Sequence, residues 1–538
     1  MVDQDAVARQ RTLIAALAAA LGPATQIFET HISWVLVAGD TAYKFKKAVR
    51  FDFLDFSTLQ ARRHYCDEEL RLNGKLAPGI YQEVVAVTGT DQRPVVGGGP
   101  AIEYAVKMRA FPQEALWSHR IEAGLLDLDD MDGLATTLAR FHADTAAAPP
   151  DAPWCTPQAL QAIADETLDD IDRLLDQESR RATAVALREW EYRQRAVLRE
   201  AFLARRTQGR IRECHGDLHC GNILTIDHRV EAFDCIEFND RLRWIDVMND
   251  IAFACMDLRF RQRADLAASF LNRYLELSGD YEGLRVLRYY EVHRALIRCK
   301  VALLRRVQCE PGSAAAQEAL REALAYLDFA DARATADAPA ILLMHGFSGS
   351  GKSTVARKLV ASFDAVRLRS DVERKRMHGI PASAHDAAGS ALYHADVTQQ
   401  TYARLLALSR IVVESGGRVI ADATFLRQSQ RQPFMELARE LGVPFAIVDV
   451  QASDATMRAR ILKRQHAGDD PSDAGLSVLE HQLREHDPLT QDELRHVVTV
   501  NTEHAPAAGS ALAALRTLPG FQRQALTETP SPAPSRAR

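Results

Sequence analysis

Three polar side chains between residues 215 and 238 have the order and spacing of a phosphoryl-transfer centre. In His215-Gly216-Asp217-Leu218-His219-Cys220-Gly221-Asn222-Ile223-Leu224 an aspartate precedes an asparagine by five residues, and a second aspartate follows in Glu231-Ala232-Phe233-Asp234-Cys235-Ile236-Glu237-Phe238. Transfer from Mg·ATP to a hydroxyl uses such a set, because the chemistry needs positioning and charge neutralisation more than covalent help. Asp217 would accept the proton of the substrate hydroxyl. Asn222 and Asp234 would hold Mg2+, which takes hard oxygen ligands and seldom has an all-protein cage. The competing reading is a tight turn between strands, with Asp217 as a surface carboxylate. His215 and His219 have no Cys or His partner at zinc spacing and are expected to brace the loop.

A second phosphate motif lies downstream. Ile341-Leu342-Leu343-Met344-His345 is a buried-strand run, and Gly346-Phe347-Ser348-Gly349-Ser350-Gly351-Lys352-Ser353-Thr354 then opens an apolar helix. This is a Walker A loop in its required context. Its glycines let backbone N–H groups wrap ATP phosphates at a helix N-terminus, Lys352 neutralises β/γ oxygens, and the Ser353 hydroxyl takes Mg2+. The strand Ala365 to Arg369 ends in Ser370-Asp371-Val372-Glu373-Arg374, and the strand Arg418 to Thr424 carries Asp422 at its C-terminal end. Ligands of open parallel sheets bind at such ends. Helix Asp454 to His466 places Arg460 and Arg464 on one face, where they could close on a transferring phosphate; an exposed basic face is the alternative.

The stretch H-G-D-L-H-x-G-N-I resembles the catalytic loop of aminoglycoside phosphotransferases and related small-molecule kinases, distant relatives of protein kinases, with Gly in place of the Arg of H-R-D. That resemblance implies a bilobal kinase-like fold and a bracing role for Asp250, which as a helix cap would be an ordinary residue. The second motif and its strand ends resemble P-loop small-molecule and polynucleotide kinases, including chloramphenicol phosphotransferase and the zeta-toxin group. By this resemblance Asp371 would be the base for the acceptor hydroxyl, Arg374 a substrate or phosphate contact, and Asp422 the Walker-B-like acid near the metal. Gly468 to Ala474 looks like the lid of such kinases.

Other elements must position these groups. Thr12 to Leu21 is apolar and follows two arginines, but Asp3 and Asp5 cancel their charge, so a first domain helix is expected rather than a signal peptide. Strands from Ile27 to Val49 turn at Ala38-Gly39-Asp40, and the second carries Lys44, Lys46 and Lys47. Lys44 would contact phosphate, oriented by Glu69 on a helix over Cys66 to Lys75, whose Leu72 and Leu76 share its face. Lys46 and Glu68 are alternatives, and so is a solvated lysine cluster on an edge strand. The segment Phe28 to Ser33 contains no glycine, so no Gly-rich flap covers the phosphates. Ile102 to Met108 should lead into a hinge whose backbone near Lys107 to Ala110 meets adenine. Helical patterns dominate from about 112 to 210, and Tyr289 to Arg306 reads as a helix with a solvated charged face or as the lining of an acceptor pocket. The one acidic run suited to a cationic drug is Asp165 to Asp176, a thin basis for an antibiotic substrate.

The expected fold is α+β then α/β. A kinase-like domain covers 1–330, with a small lobe to about 110 and a helical lobe from 111; a linker spans 331–339, a doubly wound P-loop domain 340–520, and a disordered tail 521–538. A chain of 538 residues with 47% hydrophobic and 26% charged residues can give each domain its own core. A net charge of −6 leaves no electrostatic footprint for nucleic acid or an anionic membrane, and a small polar hydroxyl acceptor fits better. No stretch is long and apolar enough to span a membrane. Eight dispersed cysteines with no C-x-x-C pair read as reduced thiols in the cytosol. The expectation is therefore two ATP sites, each moving γ-phosphate to a small-molecule hydroxyl. Alternatives are a silent nucleotide-binding regulator in one half, and a polynucleotide kinase or ATPase switch in the P-loop half.

Overall fold

The computed structural model describes residues 4–51, 54–176, 178–335, 338–380, 395–467, 475–503 and 507–521. The chain forms two compact units, Met1–Ala336 and Asp337–Arg538. The expected lid over 468–474, and the expected tail beyond Phe521, lie outside the described residues.

In the first unit a six-stranded antiparallel sheet runs in the order β1-β2-β3-β8-β6-β7, built from β1 (Gln26–Glu29), β2 (Ser33–Ala38), β3 (Thr41–Lys46), β6 (Tyr81–Thr90), β7 (Arg93–Val96) and β8 (Glu103–Arg109). A small hairpin, β4 (Arg50–Phe51) with β5 (Leu54–Asp55), sits between β3 and the long helix Leu59–Leu76. The helix Gln4–Leu21 buries Leu13, Ile14, Leu17 and Ala18 against Trp34, Leu36 and Phe45. Removal of that apolar stripe from water is what holds this helix on the sheet.

The helical part carries two short pairings that shape the catalytic loop. β10 (Ile223–Ile226) and β11 (Arg229–Ala232) form a hairpin in which Ile223 faces Ala232. β9 (Ile211–Glu213) pairs with β12 (Trp244–Asp246). The loop 214–222 is thereby tied at both ends. The helix Leu284–Gln308 corrects the idea of a solvated charged face, since Glu291, His293 and Arg294 are buried within it. Helix Ala314–Thr335 likewise occupies the first five positions of the expected linker.

The second unit is a five-stranded, all-parallel sheet in the order β14-β15-β13-β16-β17, from β13 (Ala340–His345), β14 (Ala365–Arg369), β15 (Arg418–Asp422), β16 (Phe445–Gln451) and β17 (Val497–Asn501). Ile341 to Met344 are wholly buried, as expected of a central strand covered on both faces. This is the doubly wound arrangement anticipated. No helix among the described residues is long and apolar enough to cross a membrane.

One buried ionic knot anchors the helical part. Arg205 donates to Asp246 at 2.6 Å and to Asp280 at 2.8 and 2.9 Å, all three nearly inaccessible. Asp246 also caps the helix Val247–Phe260 through the N–H of Met248. Substituting Arg205→Met should leave buried Asp246 without its cation and Asp280 with Arg210 at 3.7 Å, and destabilise the first unit by about 3–5 kcal/mol, read as a lowered denaturant midpoint with an unchanged slope.

Candidate active sites

The catalytic loop is held by hydrogen bonds that begin at one carboxylate. Asp250, on the helix Val247–Phe260, accepts the N–H of His215 at 2.8 Å and of Gly216 at 2.9 Å, and lies 3.4 Å from His142 Nε2. It braces the loop, while Asp246 is the helix cap. Gly216 explains the departure from H-R-D: its φ is +85°, and a Cβ there would meet the Leu242 carbonyl oxygen at 2.7 Å. Arg294 donates to the same residue's carbonyl oxygen at 2.9 Å and to Asn249 Oδ1 at 2.7 Å. His215 places Nε2 2.8 Å from the Phe233 carbonyl oxygen, and His219 Nδ1 accepts the N–H of Gly221 at 3.0 Å, so both histidines are loop braces.

Asp217 then meets Asn222, whose Nδ2 donates to the Asp217 carbonyl oxygen and to Oδ2, both at 3.0 Å. Burial alone would raise the Asp217 pKa; His219, with Arg298 and His215 farther off, holds it well below the usual range. The carboxylate is therefore ionised. The hairpin brings Asp234 alongside, because the Phe233 N–H donates to the Asn222 carbonyl oxygen at 2.9 Å. Asp234 adopts the left-handed region, φ +63°, and turns its carboxylate to Lys44 Nζ.

Glu69 engages both candidate lysines. Its Oε1 accepts Lys44 Nζ at 2.7 Å and its Oε2 accepts Lys46 Nζ, which also contacts Glu237. Lys44 is the one that also reaches Asp234, while Lys46 is 1% exposed and closed in. Glu68, the alternative carboxylate, instead binds Arg71 at 2.7 Å. The Lys44 pKa is raised: burial opposes this, but Asp234 and Glu69 outweigh it. The backbone near Lys107 is a correction. β8 is paired on both sides and the Ala110 N–H donates to the Asp40 carbonyl oxygen, so the N–H of Ala110 and the backbone of β8 are already engaged.

Asn73 and the loop-bracing role of Arg294 were not anticipated. Asn73 donates to the Glu69 carbonyl oxygen and accepts the Cys235 N–H, both at 2.9 Å, locking the Glu69 helix to the Asp234 segment. An asparagine one turn past Glu69 on the same apolar face was the available signal. Arg294 had none, since its partners are distant in sequence.

In the second unit Gly346 has φ +135° and passes so close to β16 that a Cβ would lie 2.4 Å from the Val450 carbonyl oxygen. The loop continues through Ser348, Gly349, Ser350 and Gly351 into the helix Lys352–Phe363, with Ser353 and Thr354 exposed in its first turn. Ser350 Oγ is buried with no partner among the described residues. Lys352 Nζ donates to the Phe347 carbonyl oxygen at 2.7 Å. Burial lowers its pKa to about 8, helped by Arg464 and resisted by Asp422 and Asp371. Those two acids are therefore neighbours of the P-loop lysine. Asp422 also accepts Arg367 at 2.9 Å, and Asp371 lies 3.3 Å from buried Arg374. Arg460 does not share a phosphate-facing duty with Arg464: it is spent on the carbonyl oxygens of Gly349 and Ser350 and on Thr502. It braces the loop.

Similarity to known proteins follows the same division. The model of the phosphotransferase enzyme family matches residues 102–287, and an AAA domain model matches 341–489. A protein of Mycobacterium tuberculosis (strain H37Rv) called uncharacterized is 30% identical over 453 residues, 83% of this chain and 88% of its own. The chain belongs to that family, a phosphotransferase domain joined to a P-loop domain. It is an enzyme of the kinase class. Among solved structures, a choline/ethanolamine kinase family protein from Mesorhizobium loti covers 61% of this chain and 97% of its own at 14% identity and a TM-score of 0.36. A gluconokinase from Sinorhizobium meliloti covers 33% and 93% at 22% identity and a TM-score of 0.25.

The P-loop domain should report its lysine through pH. A phosphate needs Lys352 charged, so above a free-state pKa of about 8 nucleotide binding must draw a proton from solvent. Affinity for Mg·ATP should then fall by up to about tenfold per pH unit above 8. Calorimetry in buffers of different ionisation enthalpy should show proton uptake that Lys352→Met removes.

Proposed function

We propose that each domain transfers the γ-phosphoryl group of Mg·ATP to a hydroxyl of a small-molecule acceptor. The observation that carries this is the joining of base, metal-type donors and phosphate-type lysine in one connected cluster: Asn222 grips Asp217, and Lys44 bridges Glu69 and Asp234. Asp217 takes the hydroxyl proton, and Lys44 neutralises phosphate oxygens. Asn222 and Asp234 fit a divalent cation, since the Asn222 amide nitrogen is engaged by Asp217 and leaves its oxygen as a hard donor. Held by these two residues, a divalent cation would supply positive charge to neutralise the phosphate.

In the P-loop domain the loop N–H groups and Lys352 would receive the phosphates, with Ser353 and Asp422 toward the metal and Arg464 over the transferring group. The buried, unpartnered Ser350 Oγ and the glycine-only approach at Gly346 support a phosphate cradle. Asp371 is the base, and Arg374 holds the acceptor. Both sites would draw on cytosolic ATP, in keeping with eight cysteines that form no disulfide. The acidic net charge favours small acceptors over nucleic acid.

Labelled γ-phosphate transfer from Mg·ATP into a fractionated metabolite extract tests this. Asp217→Asn should cut one labelled product by about 10²–10⁴-fold, and Lys352→Ala should remove a different one. Loss of all transfer through one substitution, with no effect of the other, would contradict the two-kinase reading.

A further inference from the structure

Arg298 is a cation beside the base Asp217 whose charge the fold leaves loosely paired. It stands one turn beyond Arg294 on the helix Leu284–Gln308 and on the same face, since residues at i and i+4 are neighbours on a helix. Arg294 bonds the Gly216 carbonyl oxygen at 2.9 Å, and a helical turn rises about 5.4 Å. That step carries Arg298 past Gly216 to the neighbourhood of Asp217, the next residue of the loop. The two charges interact: burial opposes a charged Arg298, but Tyr326, Asp217 and Asp257 outweigh it and raise its pKa.

The other neighbours of this guanidinium compete weakly for it. It lies 5.6 Å from the centre of the Tyr326 ring, and Glu322, the one carboxylate in an ion pair with it among the described residues, is 3.6 Å away. Glu322 also serves Arg305. Asp257 is buried and taken by the Cys220 N–H at 2.8 Å and by Arg261 at 3.2 Å. A guanidinium carries its donors in a planar fork that matches a carboxylate or a phosphate, and none of these contacts engages that fork closely. The Arg298 side chain is 24% exposed and that of Asp217 39%, so a solute can reach both, whereas Arg294 is buried.

An acceptor must bring its hydroxyl against ionised Asp217, which repels any anionic group on the same molecule. A nearby cation offsets that repulsion and gives the anion a partner. We propose that Arg298 is a specificity-determining residue of the phosphotransferase domain, binding an oxyanion group on the acceptor and so selecting small acidic alcohols. Arg298 takes no part in bond making: the hydroxyl proton passes to Asp217, the acceptor oxygen bonds the γ-phosphorus, and the bond from that phosphorus to ADP breaks. The proposal rests on the kinase reading of this domain.

A metabolite extract stripped of nucleotides and split by ion exchange into anionic, neutral and cationic pools provides the test. Each pool is offered with labelled Mg·ATP to full-length Lys352→Ala protein, whose P-loop site is disabled, and to the same protein with Asp217→Asn added. Product that needs Asp217 should come from the anionic pool. Arg298→Met should raise the amount of that pool needed for half-maximal transfer by about tenfold or more and change the maximal rate far less, because a lost charge pair weakens binding of an anion. Arg298→Lys, the milder change, should fall between the two, since it keeps the charge without the fork. Phosphatase treatment of the pool identifies the oxyanion: lost acceptor activity means a phosphate ester, retained activity a carboxylate, and either agrees with the proposal. Asp217-dependent product from the neutral or cationic pool would overturn it. So would an Arg298→Met protein that matches its parent, or one that loses maximal rate with the half-maximal amount unchanged, the mark of a residue that merely steadies the base. Absence of Asp217-dependent product from every pool would remove the kinase reading itself, and the proposal with it.

Discussion

Glu69 has no contact with water and two ammonium groups against its two oxygens. That arrangement joins the sheet, the Leu59–Leu76 helix and the Asp234 segment at a single buried charge. A carboxylate in such a place is tolerable only while it is paired and hydrogen-bonded, and removing one partner would expose the full cost of desolvation. Lys46, sealed from solvent, satisfies Glu69 on one side. Lys44 is thereby free to present its charge toward Asp234, where phosphate would lie. The two lysines separate a structural duty from a chemical one that either alone would have to combine.

The rest of this site follows from keeping that cluster in register with the catalytic loop. Asn73 fastens the helix to Cys235, the hairpin β10–β11 fixes Asp234 against Asn222, and Asp250 fixes the start of the loop. Asn73 and Asp250 are short side chains with few rotatable bonds, so ordering them loses little conformational entropy. The result is a preorganised set of groups, which is what a reaction dependent on positioning requires.

The sequence made visible what is local in the chain. The loop 215–222, the Walker A run and the five parallel strands could be read because their chemistry and their backbone requirements fall within a few neighbouring residues; glycine at 216 and 346 is demanded by close carbonyls. Glu69 was legible because helix periodicity placed it on the apolar face. Groups whose partners lie far away in the chain were not. Arg294 meets Gly216 across 78 positions, and its charge made the helix Leu284–Gln308 read as a solvated face when it is largely core. Arg460 failed for a related reason: helix spacing puts it on a face with Arg464, but spacing does not show that Gly349, Ser350 and Thr502 consume its donors.

The two sites solve the problem of an unliganded lysine in opposite ways. In the phosphotransferase domain Lys44 is held ionised by carboxylates, so a nucleotide must compete with Asp234 for it, and a cation that draws Asp234 away would release it. In the P-loop domain Lys352 donates to a backbone carbonyl, and burial disfavours its charge more than nearby Asp422 and Asp371 support it, so an arriving phosphate relieves a cost already present. Cation and nucleotide binding should be strongly interdependent at the first site, because the same carboxylate answers to both. At the second, proton and nucleotide are the interdependent pair. Although both sites resemble ATP sites by motif, their responses to divalent cation and to pH are set by what each lysine touches before ATP arrives.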